Sequence, residues 1–316
     1  MLPPPAFYRR AMSIGAADIA VTTVGQVSVD ARDEVRELAD IAGVADGVAP
    51  LSESFQLRLA HGGTEVLHLL ARAGSVLVGY AQLDVAGGEA ELVVHPAYRR
   101  RGVGRTLLRA LVEAAGPDAP LSMWAHGDHP SATALGWPAG FRRYRVLWQL
   151  RRDLTGPLPE VPVPDGVRIR AFEPGVDEDA WLHVNARAFA EHPDQGRWTR
   201  EDLLLRESEP WFDPAGFLLA EDATGRLVGF HWTKVHDEGD HQVGEVYVLG
   251  IDPDAQGGGL GAALTAAGLR YLRDARGLDT VLLYVDEDNP RAVALYRKAG
   301  FTQWVTDVAL HRNPTP

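Results

Sequence analysis

At 316 residues the chain is long enough for two domains, each with a hydrophobic core of its own. A net charge of −12 sets it against a nucleic-acid partner, and an apolar fraction of 46% without low-complexity runs excludes a disordered chain. With no cysteine there are no disulfides and no thiolate metal sites.

Residues 1–17 read as a Pro-rich leader with no fold of their own. Arg9-Arg10 invites an export signal, but Asp18 interrupts the apolar stretch such a signal needs, and no 18-residue apolar run follows. The expectation is a cytoplasmic protein. A first strand is expected near 19–23. Residues 76–84 and 91–95 read as strands, 104–115 carries apolar residues at helical spacing, and 121–126 is a further short strand. Over 154–166 (LTGPLPEVPVPDG) the prolines enforce an extended, stiff segment that can be neither helix nor central strand. That segment is the expected linker between domains at 18–153 and 167–316.

The second half restarts with a strand at 167–172, helices at 177–189 and 199–207, and a hairpin from 216–222 and 227–236. A strand at 245–251, a helix at 260–275, a strand at 280–285 and a helix at 290–299 follow. Thr199 with Asp202 three residues on has the form of a capping box, and Pro290 suits the first turn of a helix. Interleaved strands and helices predict an α/β (α+β) chain with a mixed sheet in each half.

The halves repeat one another. GEVYVLGIDPDAQGGGLG and LLYVDEDNPRAVALYRKAGF in the second answer to EAELVVHPAYRRRGVG and LSMWAHGDHPSATALGWPAGF in the first. Pro96 and Pro253 share the offset of Gly102 and Gly259 (253 − 96 and 259 − 102 are both 157), and His129 and Asn289 share that of Gly140 and Gly300 (160). In each copy a glycine turn enters a helix directly. Glycines admit a phosphate close to the backbone, and the helix N-terminus adds free N–H donors, so the turn reads as a pyrophosphate cradle. Where the second copy has Glu245 and Tyr296, the first has Gly88 and Gly136. Both side chains able to move protons are missing from the first copy.

The pattern Q/R-x-x-G-x-G/A after an apolar strand, followed by N-x-x-A-x-x-L-Y-x-x-x-G-F, resembles the GNAT superfamily of N-acetyltransferases. The two-domain layout and the runs DGVAP, AELVVHP, MWAHGDHP, WFDP, GFHWTKVH, GEVYVLG and LLYV resemble those GNAT members that acetylate the cysteinyl amine of a glucosaminyl-inositol. The resemblance implies two tandem GNAT-like domains, each a mixed, splayed central sheet flanked by helices, with acetyl-CoA as acetyl donor. It implies direct attack by the amine, a non-catalytic first domain, no metal, no membrane, and a monomer acting on small molecules. An acetyltransferase for another amine, such as an aminoglycoside or a protein N-terminus, is the alternative within enzymes. A non-catalytic acyl-CoA sensor is the alternative outside them.

The resemblance also assigns roles to residues. Glu245 would be general base and Tyr296 would donate a proton to the departing thiolate. Substrate contacts would come from Glu53, Asp194, Lys234, Glu245 and Tyr284, with Asp194 standing where the family has glutamate. The pantetheine arm would pair with Leu249, Gly250 and Ile251 as an added strand does. The cradle would comprise Gln256, Gly257, Gly258, Gly259, Leu260, Gly261 and Ala262, with Asn289 and Arg291 nearby. Arginines are usual where Gly257 and Gly258 stand, and Arg291 would partly replace them. In the first domain Leu92, Val93, Val94, Arg100, Arg101, Gly102, Val103, Gly104 and Arg105 would hold a second acetyl-CoA. His231, His236 and His241, five residues apart, suit neither one strand face nor a tight metal turn. Asp286-Glu287-Asp288 lacks the rest of a cation-loop pattern and reads as a solvated turn.

Overall fold

The computed structural model describes residues 18–63, 65–192, 195–237 and 241–313. The leader 1–17 and Asp194 lie outside the described residues. Two compact units divide the described residues, the first taking those from 18 to 147 and from 306 to 313, the second those from 148 to 305. The first holds β1 (Ile19–Val24), α1 (Val29–Asp46), α2 (Glu53–His61), β2 (Val66–Ala73), β3 (Val76–Asp84), β4 (Glu89–Val94), α3 (Val103–Ala115), β5 (Leu121–Ala125), α4 (Pro130–Gly136) and the start of β6 (Arg142–Asp153). The second holds the rest of β6, then β7 (Arg168–Ala171), α5 (Glu178–Ala188), α6 (Arg200–Glu207), β8 (Phe217–Glu221), β9 (Leu227–Asp237), β10 (Gln242–Ile251), α7 (Leu260–Arg270), β11 (Thr280–Asp286), α8 (Pro290–Lys298) and the start of β12 (Thr302–Arg312).

The strand order is β1-β2-β3-β4-β5-β12 in the first unit and β7-β8-β9-β10-β11-β6 in the second. Four antiparallel strands therefore lead to one parallel pair in each, β4 with β5 and β10 with β11. Each parallel pair is joined through a helix, as a parallel connection requires. The outermost slot beside β5 is filled from the far end of the chain, where Val308–Arg312 runs antiparallel to Leu121–Ala125. Residues 154–166 form neither helix nor strand, yet the compact units divide ahead of them, between Leu147 and Trp148. The prolines stop a strand that already belongs to the second unit, and Val308 and Leu310 complete the first unit's core.

Helix α3 buries Val103, Leu107, Leu108 and Leu111, a single stripe at helical spacing, against the β-sheet core of its unit. In α6 the capping box is complete: the Thr199 side chain accepts from Asp202 N and the Asp202 carboxylate accepts from Thr199 N. Helix α7 is buried nearly all round and is built from Ala, Gly and Leu, because it lies close on the sheet. The closest approach is Gly268 over His231, where a methyl group would sit 2.1 Å from the imidazole. His231 is fully buried, its Nδ1–H donates to Leu264 O at 2.8 Å, and burial lowers its pKa to about 4, so the ring is neutral. Gly268→Val should therefore destabilise the second unit by about 3 kcal/mol, the upper part of the overpacking range, read as a lowered urea midpoint at unchanged slope. Among the described residues, no helix is long and apolar enough to cross a membrane.

Candidate active site

The parallel pair of the second unit is short. Register holds at Gly244↔Val281, Glu245↔Leu282 and Val246↔Leu283, although β10 runs on to Ile251 and β11 to Asp286. The pairing stops at Val246, where a bulge interrupts β10. Val246 pairs with Thr233 and Val248 with Trp232, so Tyr247 is the extra residue, and a bulge bends the strand that carries it. Its ring packs on Trp211 and Trp232 at 5.3 Å each, and its hydroxyl accepts from Arg206 Nε at 2.8 Å. Beyond the bulge the pairing with β11 does not extend to Leu249, Gly250 or Ile251. Gly250 cannot carry a side chain there, since a methyl would stand 2.7 Å from the Phe230 ring.

Side chains alternate along each strand, so the two faces of this wedge carry different chemistry. Val246, Val281, Leu283 and Val285 pack with Tyr296, which α8 presents from the other side of the chain's turn at Asn289. The Tyr296 ring lies 5.8 Å from Phe301, and burial raises its pKa well above the usual phenol range, so it keeps its proton. Glu245, Leu282 and Tyr284 point the opposite way. Glu245 is buried, and its Oε2 lies 2.5 Å from His236 Nε2. Lys234, directly across the ladder from Glu245, holds its ammonium 4.3 Å from the Trp211 ring and 5.3 Å from that of Tyr247. Tyr284 is exposed, and its hydroxyl accepts from Gln149 Nε2 at 2.9 Å.

The glycine turn leaves its backbone uncovered. Gly259 (φ 84°) is left-handed and caps α7 without any side-chain hydrogen bond, leaving the first backbone donors of the helix free of a side-chain cap. The space over Gly257, Gly258 and Gly259 is open, with no atom within 4 Å of an added methyl. Arg291 Nη1 donates to Gln256 Oε1 and so carries a guanidinium beside a turn that has no cation of its own. Asn289 is the N-cap of α8, its Oδ1 accepting from Ala292 N at 3.0 Å. Leu260 is buried at the helix start, with Gly261 and Ala262 behind it.

The first unit has a matching glycine turn and no counterpart of the Glu245 and Tyr296 side chains. Gly102 (φ 88°) caps α3 in the same left-handed way, ahead of Val103 and Gly104. Arg101 sits over Tyr98 at 5.9 Å with Nη1 buried and without a hydrogen bond, while Arg100 and Arg105 are exposed. Here too the parallel pairing is short, Glu89↔Ser122 and Ala90↔Met123, leaving Leu92, Val93 and Val94 beyond it. Gly88 precedes the strand, and an added methyl at Gly136 would sit tightly, 3.2 Å from Leu310 and Phe141. Just past the last backbone pair, His126 lies between two buried carboxylates, 3.3 Å from Glu91 Oε1 and 3.2 Å from Asp307 Oδ2. Glu53 opens α2 in this unit.

The model described as "Acetyltransferase (GNAT) family" matches residues 180–301, and that of an "Acetyltransferase (GNAT) domain" matches residues 65–135. The mycothiol acetyltransferase of Salinispora tropica is 57% identical over 91% of this chain and 95% of its own length. The chain belongs to the mycothiol acetyltransferase family. The mycothiol acetyltransferase of Geodermatophilus obscurus is likewise 57% identical, over 88% of this chain and 93% of its own length. A solved tandem GNAT protein from the clavulanic acid biosynthesis pathway shares the fold, with a TM-score of 0.72 at 18% identity, covering 94% of this chain and 99% of that one. In this mycothiol acetyltransferase family chain, two features escape a reading of the sequence: His236 on the Glu245 carboxylate, and the Glu91–His126–Asp307 cluster. The only signal for the first is a histidine two residues past Lys234 on a strand that pairs with β10.

Proposed function

We propose that the second unit moves the acetyl group of acetyl-CoA to the cysteinyl amine of Cys-GlcN-Ins, giving mycothiol. The observation that carries this reading is the end of the β10–β11 pairing at Val246, with a buried carboxylate on one face and a buried, protonated phenol on the other. Acetyl-CoA supplies an activated acyl group on a thiol leaving group. The turn at 256–262 would hold its phosphates through backbone donors, with Arg291 beside them, and the free edge of Leu249, Gly250 and Ile251 would pair with the pantetheine amides.

The amine of a cysteinyl amide is an α-amino group with a pKa of about 7.7–8.0, so roughly a tenth is neutral at pH 7. The demand on Glu245 is therefore modest. It takes the proton released as the C–N bond forms, directly or through one water. Tyr296 gives its phenolic proton to sulfur as the C–S bond breaks. No covalent acyl-enzyme is needed, and the chain has no cysteine to form one by thiol attack. Lys234 and Tyr284, on the Glu245 face, offer a cation and a phenol to a hydroxyl-rich sugar. The first unit keeps a cradle for acetyl-CoA and performs no transfer, having neither a base at Gly88 nor an acid at Gly136.

A panel of amines assayed with acetyl-CoA tests the assignment. Turnover on Cys-GlcN-Ins should exceed that on aminoglycosides and peptide N-termini by orders of magnitude in kcat/KM. Turnover on an aminoglycoside with none on the cysteinyl sugar would end it.

A further inference from the structure

Glu245 has a problem that the transfer step alone leaves open. Its side chain is only 7% exposed, and a bound substrate must cover it further, so a proton taken from the amine has to leave by another route before the next turnover. The ladder between β9 and β10 supplies one. His236 pairs with Val243 and Lys234 with Glu245, so His236 and Glu245 are diagonal neighbours on one face of the sheet. His236 Nε2 lies 2.5 Å from Glu245 Oε2, and the histidine side chain is 33% exposed. The contact thus runs from a buried carboxylate to a group in touch with water. Lys234, the other ionisable neighbour on this face of β9, is buried over Trp211 and Tyr247 and offers no such outlet.

We propose that His236 is the proton outlet of Glu245, a positioning residue that aims the carboxylate and carries its proton to solvent between turnovers. The step rests on the function proposed above, and its atoms balance. As the amine nitrogen bonds the acetyl carbon and the carbon–sulfur bond breaks, Glu245 gains the amine proton and sulfur takes the Tyr296 proton. The Glu245 carboxyl then donates to Nε2 of neutral His236, and the part-exposed ring turns to water and releases that same proton, which restores its starting tautomer. Tyr296 recovers a proton from solvent, so amine and thioester become amide and thiol with nothing left over. Imidazole is the side chain suited to this transfer, since as a class it gains and loses a proton near neutral pH.

The test uses the full chain and whichever amine the wild type acetylates, in dilute non-nucleophilic buffer. His236→Ala should lower kcat on the order of 10²-fold, the low end for general acid–base effects, with KM for acetyl-CoA unchanged and an unaltered melting temperature. Added imidazole should restore much of the loss. His236→Gln keeps an N–H donor for the carboxylate and cannot relay a proton, so it should be as slow as His236→Ala. Wild-type kcat in His236→Gln would overturn the proposal, and so would a folded His236→Ala that imidazole does not rescue. Acetylation of a different amine by the wild type would refute the substrate assignment while leaving this test intact. No amine turnover at all would sink both.

Discussion

Glu245→Gln should lower kcat by about 10²–10⁴-fold while leaving acetyl-CoA affinity nearly unchanged, the range expected when a general base is removed. The substitution keeps the volume of the side chain and its place beside His236, so folding should survive. What is lost is the capacity to accept a proton at a site where little water can substitute, because the carboxylate is buried between β9 and β11. The amine is already partly neutral at pH 7, so the deficit should shrink as pH rises through the amine's own pKa of about 7.7–8.0. Steady-state kinetics from pH 6.5 to 9 check this. A deficit that falls with pH supports a base acting on the amine, whereas a large increase in KM for acetyl-CoA at constant kcat would place Glu245 in binding alone.

The second large effect belongs to the first unit. His126→Ala should destabilise it by about 3–5 kcal/mol, because it strands Glu91 and Asp307 without the cation between them. Burial alone would depress the His126 pKa, but hydrogen bonds and charge from Asp307 and Glu91 outweigh it and raise the value to about 10. A raised folded pKa gives stability that is complete below the unfolded value of about 6.5 and is lost as pH climbs through about 10. Wild-type stability should therefore decline from neutral pH to about 10, and the gap to His126→Ala should narrow over the same window. Urea unfolding followed by tryptophan fluorescence is a suitable readout, since Trp124 stacks 6.4 Å from His126. The same cluster bridges β4 to the region just after β5, where the two strands have ceased to pair. In the second unit the equivalent of Glu91 is Val248, and the wedge there is left without such a bridge at that position.

What the sequence reveals about this protein is local in origin. The glycine turns, the capping box at Thr199 and Asp202, and the start of α8 at Pro290 each depend on a few consecutive residues and are found where expected. The splay is legible only through the GNAT resemblance, and the extra residue at Tyr247 beside it is announced by no periodicity. Strand β10 begins at Gln242, three residues before the sequence suggests. In the fold Gly244 is a contact position, where a methyl would meet Leu272 at 2.9 Å. The contact between His236 and Glu245 depends on ladder register across the intervening turn, and a slip of one residue would put the two on opposite faces. The His126 cluster joins residues 181 positions apart through a strand taken from the chain's end, which is invisible to any local pattern. Asn289 shows the reverse case: a residue assigned to the nucleotide has its Oδ1 engaged as a helix cap.

If the second unit's wedge is the one reaction centre, a crystal structure with bound acetyl-CoA will show it. The thioester should lie in the gap between β10 and β11 beyond Val246, with the pantetheine along Leu249 to Ile251, sulfur near the Tyr296 hydroxyl and the acetyl carbon open to the Glu245 face. A thioester bound elsewhere, or one whose sulfur and carbonyl lie out of reach of both side chains, would rule the wedge out as the place where the acetyl group moves.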